Sequence, residues 1–99
     1  MRRGTTPTIY FKLPFELDLV DELWLTIEQR DKEIITKTKA DVTPDGDRYI
    51  IKLTQEETLN LDDGIEAKAQ LRIRTTAGEA LASSIKRLNV EEILKDGVI

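Results

Sequence analysis

The chain has 99 residues, room for one domain, with 39% hydrophobic and 34% charged residues and a formal net charge of −4. It holds no cysteine and no histidine, which excludes disulfides, thiolate metal sites and histidine acid–base chemistry. An acidic surface repels the phosphate backbone, no apolar run nears the ~20 residues of a membrane span, and the basic start Met-Arg-Arg lacks the apolar stretch of a signal peptide.

Residues 1–7 are polar, close on Pro7 and read as a flexible arm ahead of a single domain over 8–99. Thr8 to Leu13 is a first strand with Ile9, Phe11 and Leu13 on one face, and Pro14 stops its pairing. Glu16 to Glu22 is an acidic link. Leu23 to Gln29 is a second strand, with Leu23, Leu25 and Ile27 opposed to Trp24, Thr26 and Glu28. After a polar turn over Gln29 to Lys32, Glu33 to Lys39 completes a hairpin. A short strand near Ala40 to Thr43 leads into the turn Thr43-Pro-Asp-Gly-Asp47, where proline presets the first corner and Gly46 takes a positive φ. Arg48 to Leu53 follows as a strand. Thr54-Gln-Glu-Glu57 has the form of a capping box and predicts one helical turn that crosses between sheets.

Ile65 to Thr75 is the anchor of the fold. Ile65, Ala67, Ala69, Leu71 and Ile73 alternate without a fault with Glu66, Lys68, Gln70, Arg72 and Arg74. A period of two gives a strand with one dry and one wet face, the mark of an antiparallel sheet. Thr76-Ala-Gly78-Glu79 is a hairpin turn, and Ala80 to about Val90 reads as one long last strand. In the tail, Asn89 with Glu92 resembles a second capping box and Gly97 a helix stop, so a short helix is expected there. Short strands with turn signals at close spacing predict an all-β fold. It is an immunoglobulin-like antiparallel β-sandwich of about seven strands, with one or two short helical turns.

Several side chains are candidates for function. Lys68, Arg72 and Arg74 line the wet face of the anchoring strand and, with Lys86 and Arg87, offer a basic strip for an acidic partner. The plainer alternative is a solvated sheet whose charges pair with neighbouring carboxylates. Trp24, the lone tryptophan, is either an interface anchor on the outer face or a core residue where its strand twists, and Tyr10 poses the same question. Asp41, Asp45 and Asp47 surround a turn. Their spacing is not that of an EF-hand, so Asx-turn chemistry is the reading and no metal is assigned. The acidic run Glu16, Asp18, Asp21 and Glu22 could in principle supply a carboxylate pair, yet the chain has few aromatics for a sugar cleft, and a solvated loop is the reading. No catalytic, cofactor-binding or metal residue is assigned, and the chain is not expected to be an enzyme.

The opening Arg3-Gly-Thr-Thr-Pro-Thr8 with its aromatic strand, the crossing Leu53-Thr-Gln-Glu-Glu-Thr58 and the closing Gly97-Val-Ile99 carry a resemblance. Together they look like the small prophage proteins similar to the N-terminal immunoglobulin-like domain of phage baseplate upper proteins. The resemblance runs over nearly the whole chain. It implies a structural or adaptor module of a phage tail or baseplate that works by protein–protein contact and has no catalytic motif to transfer. Its partners would be other tail or baseplate proteins, itself included, with no nucleic acid, membrane or small-molecule substrate. Such a protein is cytoplasmic when made and part of the virion tail once assembled. Baseplate upper proteins continue into further regions beyond this domain, so a receptor-binding role is not carried over. A different class of function, a carbohydrate- or cell-surface-binding module built on Trp24 and Tyr10, is the alternative.

Overall fold

The computed structural model describes residues 1–14 and 16–99. Among these, eight strands form: β1 (Thr8–Lys12), β2 (Val20–Gln29), β3 (Lys32–Thr38), β4 (Val42–Asp45), β5 (Arg48–Lys52), β6 (Ala67–Thr75), β7 (Ala80–Ala82) and β8 (Lys86–Leu88). One short helix, α1 (Gln55–Leu59), and two 3-10 turns, Leu17–Leu19 and Lys39–Asp41, complete the elements. The strands make a three-stranded sheet, β1-β5-β4, and a five-stranded sheet in which β3, β2 and β6 are followed by β7 and β8, both paired to β6. All the strand pairings are antiparallel. The chain changes sheet after β1, after β3 and after β5. In the lettering of immunoglobulin domains this order is B-E-D against C′-C-F-G. The protein is an all-β sandwich, as the alternation predicts.

The core lies between the sheets. Strand β2 contributes Val20, Leu23, Leu25 and Ile27, and β6 contributes Ala67, Ala69, Leu71 and Ile73. Ile9, Phe11, Val42, Tyr49 and Ile51 face them from the smaller sheet. Residues of opposite parity on β2 and β6 face solvent, so the period of two is realised as burial. Helix α1 bridges the sheets at one end. Its box is complete: Thr54 Oγ1 accepts from the Glu57 N–H, and the Glu57 carboxylate accepts from the Thr54 N–H.

Four expectations need correction. Residues 1–7 do not hang free. Arg2 bridges Glu91 in parallel, the Arg3 N–H donates to the Glu91 carbonyl, and Thr58 Oγ1 donates to the Thr5 carbonyl. The tail is not helical. It runs beside the N-terminus, with the Glu91 N–H donating to the Met1 carbonyl and Val90 buried. The last strand is broken at Ser83, and the register along β6 shifts by one residue between β7 and β8. There Ser83 Oγ accepts from the Leu71 N–H while the Ser83 N–H donates to the Leu71 carbonyl. Finally, Pro44 lies inside β4 rather than at the turn corner. It is tolerated because β4 is an edge strand. The actual turn is Gly46-Asp47, and Gly46 has φ +60°.

The turn between β2 and β3 is just Arg30-Asp31, both at positive φ (52° and 61°), which is the backbone of a two-residue type I′ hairpin.

Leu71, 1% exposed, and Arg72, exposed, are neighbours on opposite faces of β6. Leu71→Ala is expected to cost ~2–5 kcal/mol, through lost burial and the cavity it leaves. Arg72→Ala is expected to cost under ~1 kcal/mol, as a surface change. Chemical denaturation of the two variants checks this; equal or reversed costs would contradict the assignment of faces.

Candidate functional site

The outer face of the five-stranded sheet collects most of the candidates. Antiparallel pairing of β2 with β6 sets Glu22 opposite Arg74, Trp24 opposite Arg72, Thr26 opposite Gln70 and Glu28 opposite Lys68. Trp24 is 46% exposed, which settles its place on the outer face. The Arg72 guanidinium lies 5.6 Å from the centre of its ring, a cation–π contact that holds the indole against the sheet. Beside this pair lies a shallow depression of about 340 Å³ lined by Glu22, Trp24, Arg72, Ile73, Arg74 and Ala80. A bulge between Val20 and Glu22 displaces Asp21, whose carboxylate accepts from Arg74 Nη2 at 2.7 Å and from Nε at 3.2 Å. That hydrogen bond raises the Arg74 pKa and keeps its charge fixed.

Tyr10 is elsewhere. It is 43% exposed on the outer face of the smaller sheet, with the Arg48 guanidinium 4.8 Å from its ring centre. Tyr10 and Trp24 thus lie on opposite outer surfaces of the sandwich and do not share a platform.

The basic strip is real as a row but is not uniform. Lys68 sits beside Arg87, and Arg87 Nη1 bonds Glu66 at 2.5 Å. Lys86 leaves the strip. Its ammonium bonds the Tyr10 carbonyl and sits 4.7 Å from the centre of the Phe11 ring, tying β8 to the edge of β1.

The three aspartates of the turn region go to three different partners. Asp41 accepts from the Thr38 N–H, Asp45 pairs with Arg48 and Asp47 pairs with Lys12. The acidic run is also dispersed. Asp21 pairs with Arg74, while Glu16 and Asp18 lie near Tyr49, whose phenol pKa is raised by burial first and by those two carboxylates next.

Three structural side chains escape a reading of motifs. Gln29 continues the inward parity of Leu23, Leu25 and Ile27 and is 4% exposed. Its amide donates to the Asp62 and Ile65 carbonyls and accepts from the Asp62 N–H, fixing the loop that leads into β6. Lys37 also has inward parity, opposite Leu25. Its side chain is 11% exposed and pairs with Glu57 at 2.7 Å, linking β3 to α1. Arg3 reaches the carbonyls of Leu59, the last residue of α1, and of Leu61 just beyond it, and Asp96 in the tail. Parity alone could have found Gln29 and Lys37, because a polar residue in a dry row needs a partner. Nothing local marks Arg3.

The four exposed sheet edges are each blunted. Strand β3 carries the inward Lys37, β4 carries Pro44, β1 has the Lys86 ammonium on its Tyr10 carbonyl, and β7 and β8 are short and interrupted. Contact through an outer face is therefore better provided for than addition of a further strand.

Comparison of the sequence with models of known protein families finds no match, and comparison with curated proteins finds none either. No helix among the described residues is long and apolar enough to cross a membrane.

The Lys37–Glu57 pair gives a pH signature. Burial pushes the Glu57 carboxyl up. Hydrogen bonds from Lys37 and from the Thr54 backbone, with the Lys37 charge, outweigh it and leave the pKa lowered. A lowered native pKa stabilises the fold above the unfolded value, about 4.3, and that contribution is lost as pH falls through the native value. Thermal unfolding of wild type and Glu57→Gln should therefore differ most at neutral pH and converge in acid. A difference that does not change with pH would contradict this.

Proposed function

We propose that the chain is a non-catalytic structural or adaptor module of a phage tail or baseplate that acts by protein–protein contact. The contact surface is the outer face of the five-stranded sheet. The observation that carries this reading is Trp24, half-exposed and braced by Arg72 in the middle of a face rich in both signs of charge. Tryptophan and arginine are the residue types most enriched where interfaces concentrate their energy. The tail or baseplate setting rests on the resemblance carried by Arg3-Gly-Thr-Thr-Pro-Thr8, Leu53-Thr-Gln-Glu-Glu-Thr58 and Gly97-Val-Ile99. Carbohydrate binding has less support, because Trp24 and Tyr10 face opposite ways and each ring already holds a guanidinium.

Mass spectrometry of purified phage tails from cells that make the chain tests the proposal. The wild type is expected in fixed stoichiometry with the other tail proteins. Trp24→Ala, which leaves the core intact, is expected to be incorporated at least ~10-fold less, the loss of a typical interface anchor. Tails that lack the wild-type chain, or that take up Trp24→Ala undiminished, would overturn it. Binding of the wild type on a glycan array, abolished by Trp24→Ala, would favour the carbohydrate alternative.

A further inference from the structure

The outer face of the large sheet is divided by charge along the ladder between β2 and β6. On one side stand Glu22 and Glu28 of β2 and Glu33 of β3; on the other stand Lys68, Arg72 and Arg74 of β6 and Arg87 of β8. Two like-charge pairs sit side by side within this face. Glu28 is directly opposite Glu33, and Lys68 is directly opposite Arg87. Like charges at facing positions of an antiparallel pair are unfavourable. No ion pair within 4.0 Å joins Glu22, Glu28 or Lys68 to another side chain among the described residues.

We infer that this face pairs with the same face of a second copy of the chain, about a two-fold axis running along the β2–β6 ladder. The inference rests on the contact reading above and names its partner. A two-fold interface must be self-complementary, so that residue i meets j and j meets i. An axis along the ladder exchanges the two sides of the face and keeps each row. Glu22 then meets Arg74 of the second copy, Glu28 meets its Lys68, and Glu33 meets its Arg87. Trp24 meets its Arg72, and Thr26 meets its Gln70. Every row is complementary, and the two like-charge corners are each placed against their opposite. Arg74 has room for this contact, because Asp21 uses only Nε and Nη2. Arg87 would share its charge between Glu66 and the second copy's Glu33.

The size of the face sets the strength. Four strand positions ~4.8 Å apart and seven residues at ~3.4 Å per residue give a footprint of roughly 450 Å² per copy. Two such faces lie below or near the ~1,200 Å² lower bound of stable interfaces, so the dimer is a weak one, held in large part by charge. Exposed charge pairs are screened by salt, and association should weaken as ionic strength rises.

Sedimentation velocity from micromolar to near-millimolar protein, at low and high salt, tests the inference with three proteins. They are the wild type, Glu28→Lys/Glu33→Lys and Lys68→Glu/Arg87→Glu. The wild type is expected to dimerise with concentration and to lose more than ~10-fold in affinity at high salt. Each double variant is expected to be monomeric alone, because its row at positions 33, 28, 68 and 87 then carries one sign and meets the same sign in a second copy. Mixed one to one, the two variants are expected to form a heterodimer, since each supplies the charges the other lacks. A monomeric wild type at every concentration overturns the inference, as does a mixture that fails to pair. Circular dichroism shows whether the variants are folded. Where either is not, wild-type salt dependence and Trp24→Arg decide, and a dimer insensitive to both overturns the inference. A monomeric wild type still found in purified tails would remove self-pairing and leave the adaptor reading standing; a dimer absent from tails would do the reverse.

Discussion

The pairing of β2 with β6 is the constraint on which the rest of the structure depends. These two strands are the central members of the larger sheet, and their inward residues form half of the core. Side chains alternate with a period of two, so the register that buries Leu23, Leu25 and Ile27 against Ile73, Leu71 and Ala69 also fixes the outer rows. A slip by one residue would send the apolar set into water and the charged set into the core. Burial of the dry rows therefore determines where Trp24 and Arg72 meet. The outer face inherits its order from the core and does not need to be stable in its own right.

Around this ladder the sandwich is closed by polar side chains in dry or half-dry places. Gln29 stands in for missing backbone partners at the entry to β6. Lys37 and Glu57 join the edge of the large sheet to the crossing helix, and Glu57 also caps that helix. Arg3 holds the end of α1 and the tail together. In each case a buried or half-buried polar group is satisfied by a group distant in sequence, which restricts how the layers can be docked. Such contacts favour one arrangement of the two sheets over others of similar apolar burial.

How much of this was legible in the sequence follows from where the determining contacts lie. Strand β6, the hairpin of β2 with β3 and the capping box at Thr54 were readable, because each is set by periodicity or by groups three residues apart. The conformation of residues 1–7 and of the tail was not. The tail carries a plausible capping signal at Asn89, but an isolated helix of that length is marginal in water. Backbone bonds between Met1, Arg3 and Glu91 hold it extended instead, and the sequence shows neither half of those bonds. The break at Ser83 was hidden for a similar reason. A serine in a strand looks ordinary until its hydroxyl replaces a backbone acceptor. At the outer face the sequence marked Lys68, Arg72 and Arg74 as solvent-facing, and it left Trp24 open between the outer face and the core. It could not show that Tyr10 lies on the far side, nor that the basic row is matched by an acidic one, since both depend on which strands become neighbours.

The β2–β6 ladder organises both the core and the face beyond it. Native-state amide hydrogen exchange tests it most directly, because it reports the free energy of opening at each backbone N–H. The slowest amides are expected in the middle of β2 and β6, around Leu23 to Ile27 and Ala69 to Ile73, exchanging only through global unfolding. The amides of β7, β8 and the tail should exchange faster, through local opening. Slowest exchange confined to the β1-β5-β4 sheet, with β2 and β6 opening locally, would contradict that organisation.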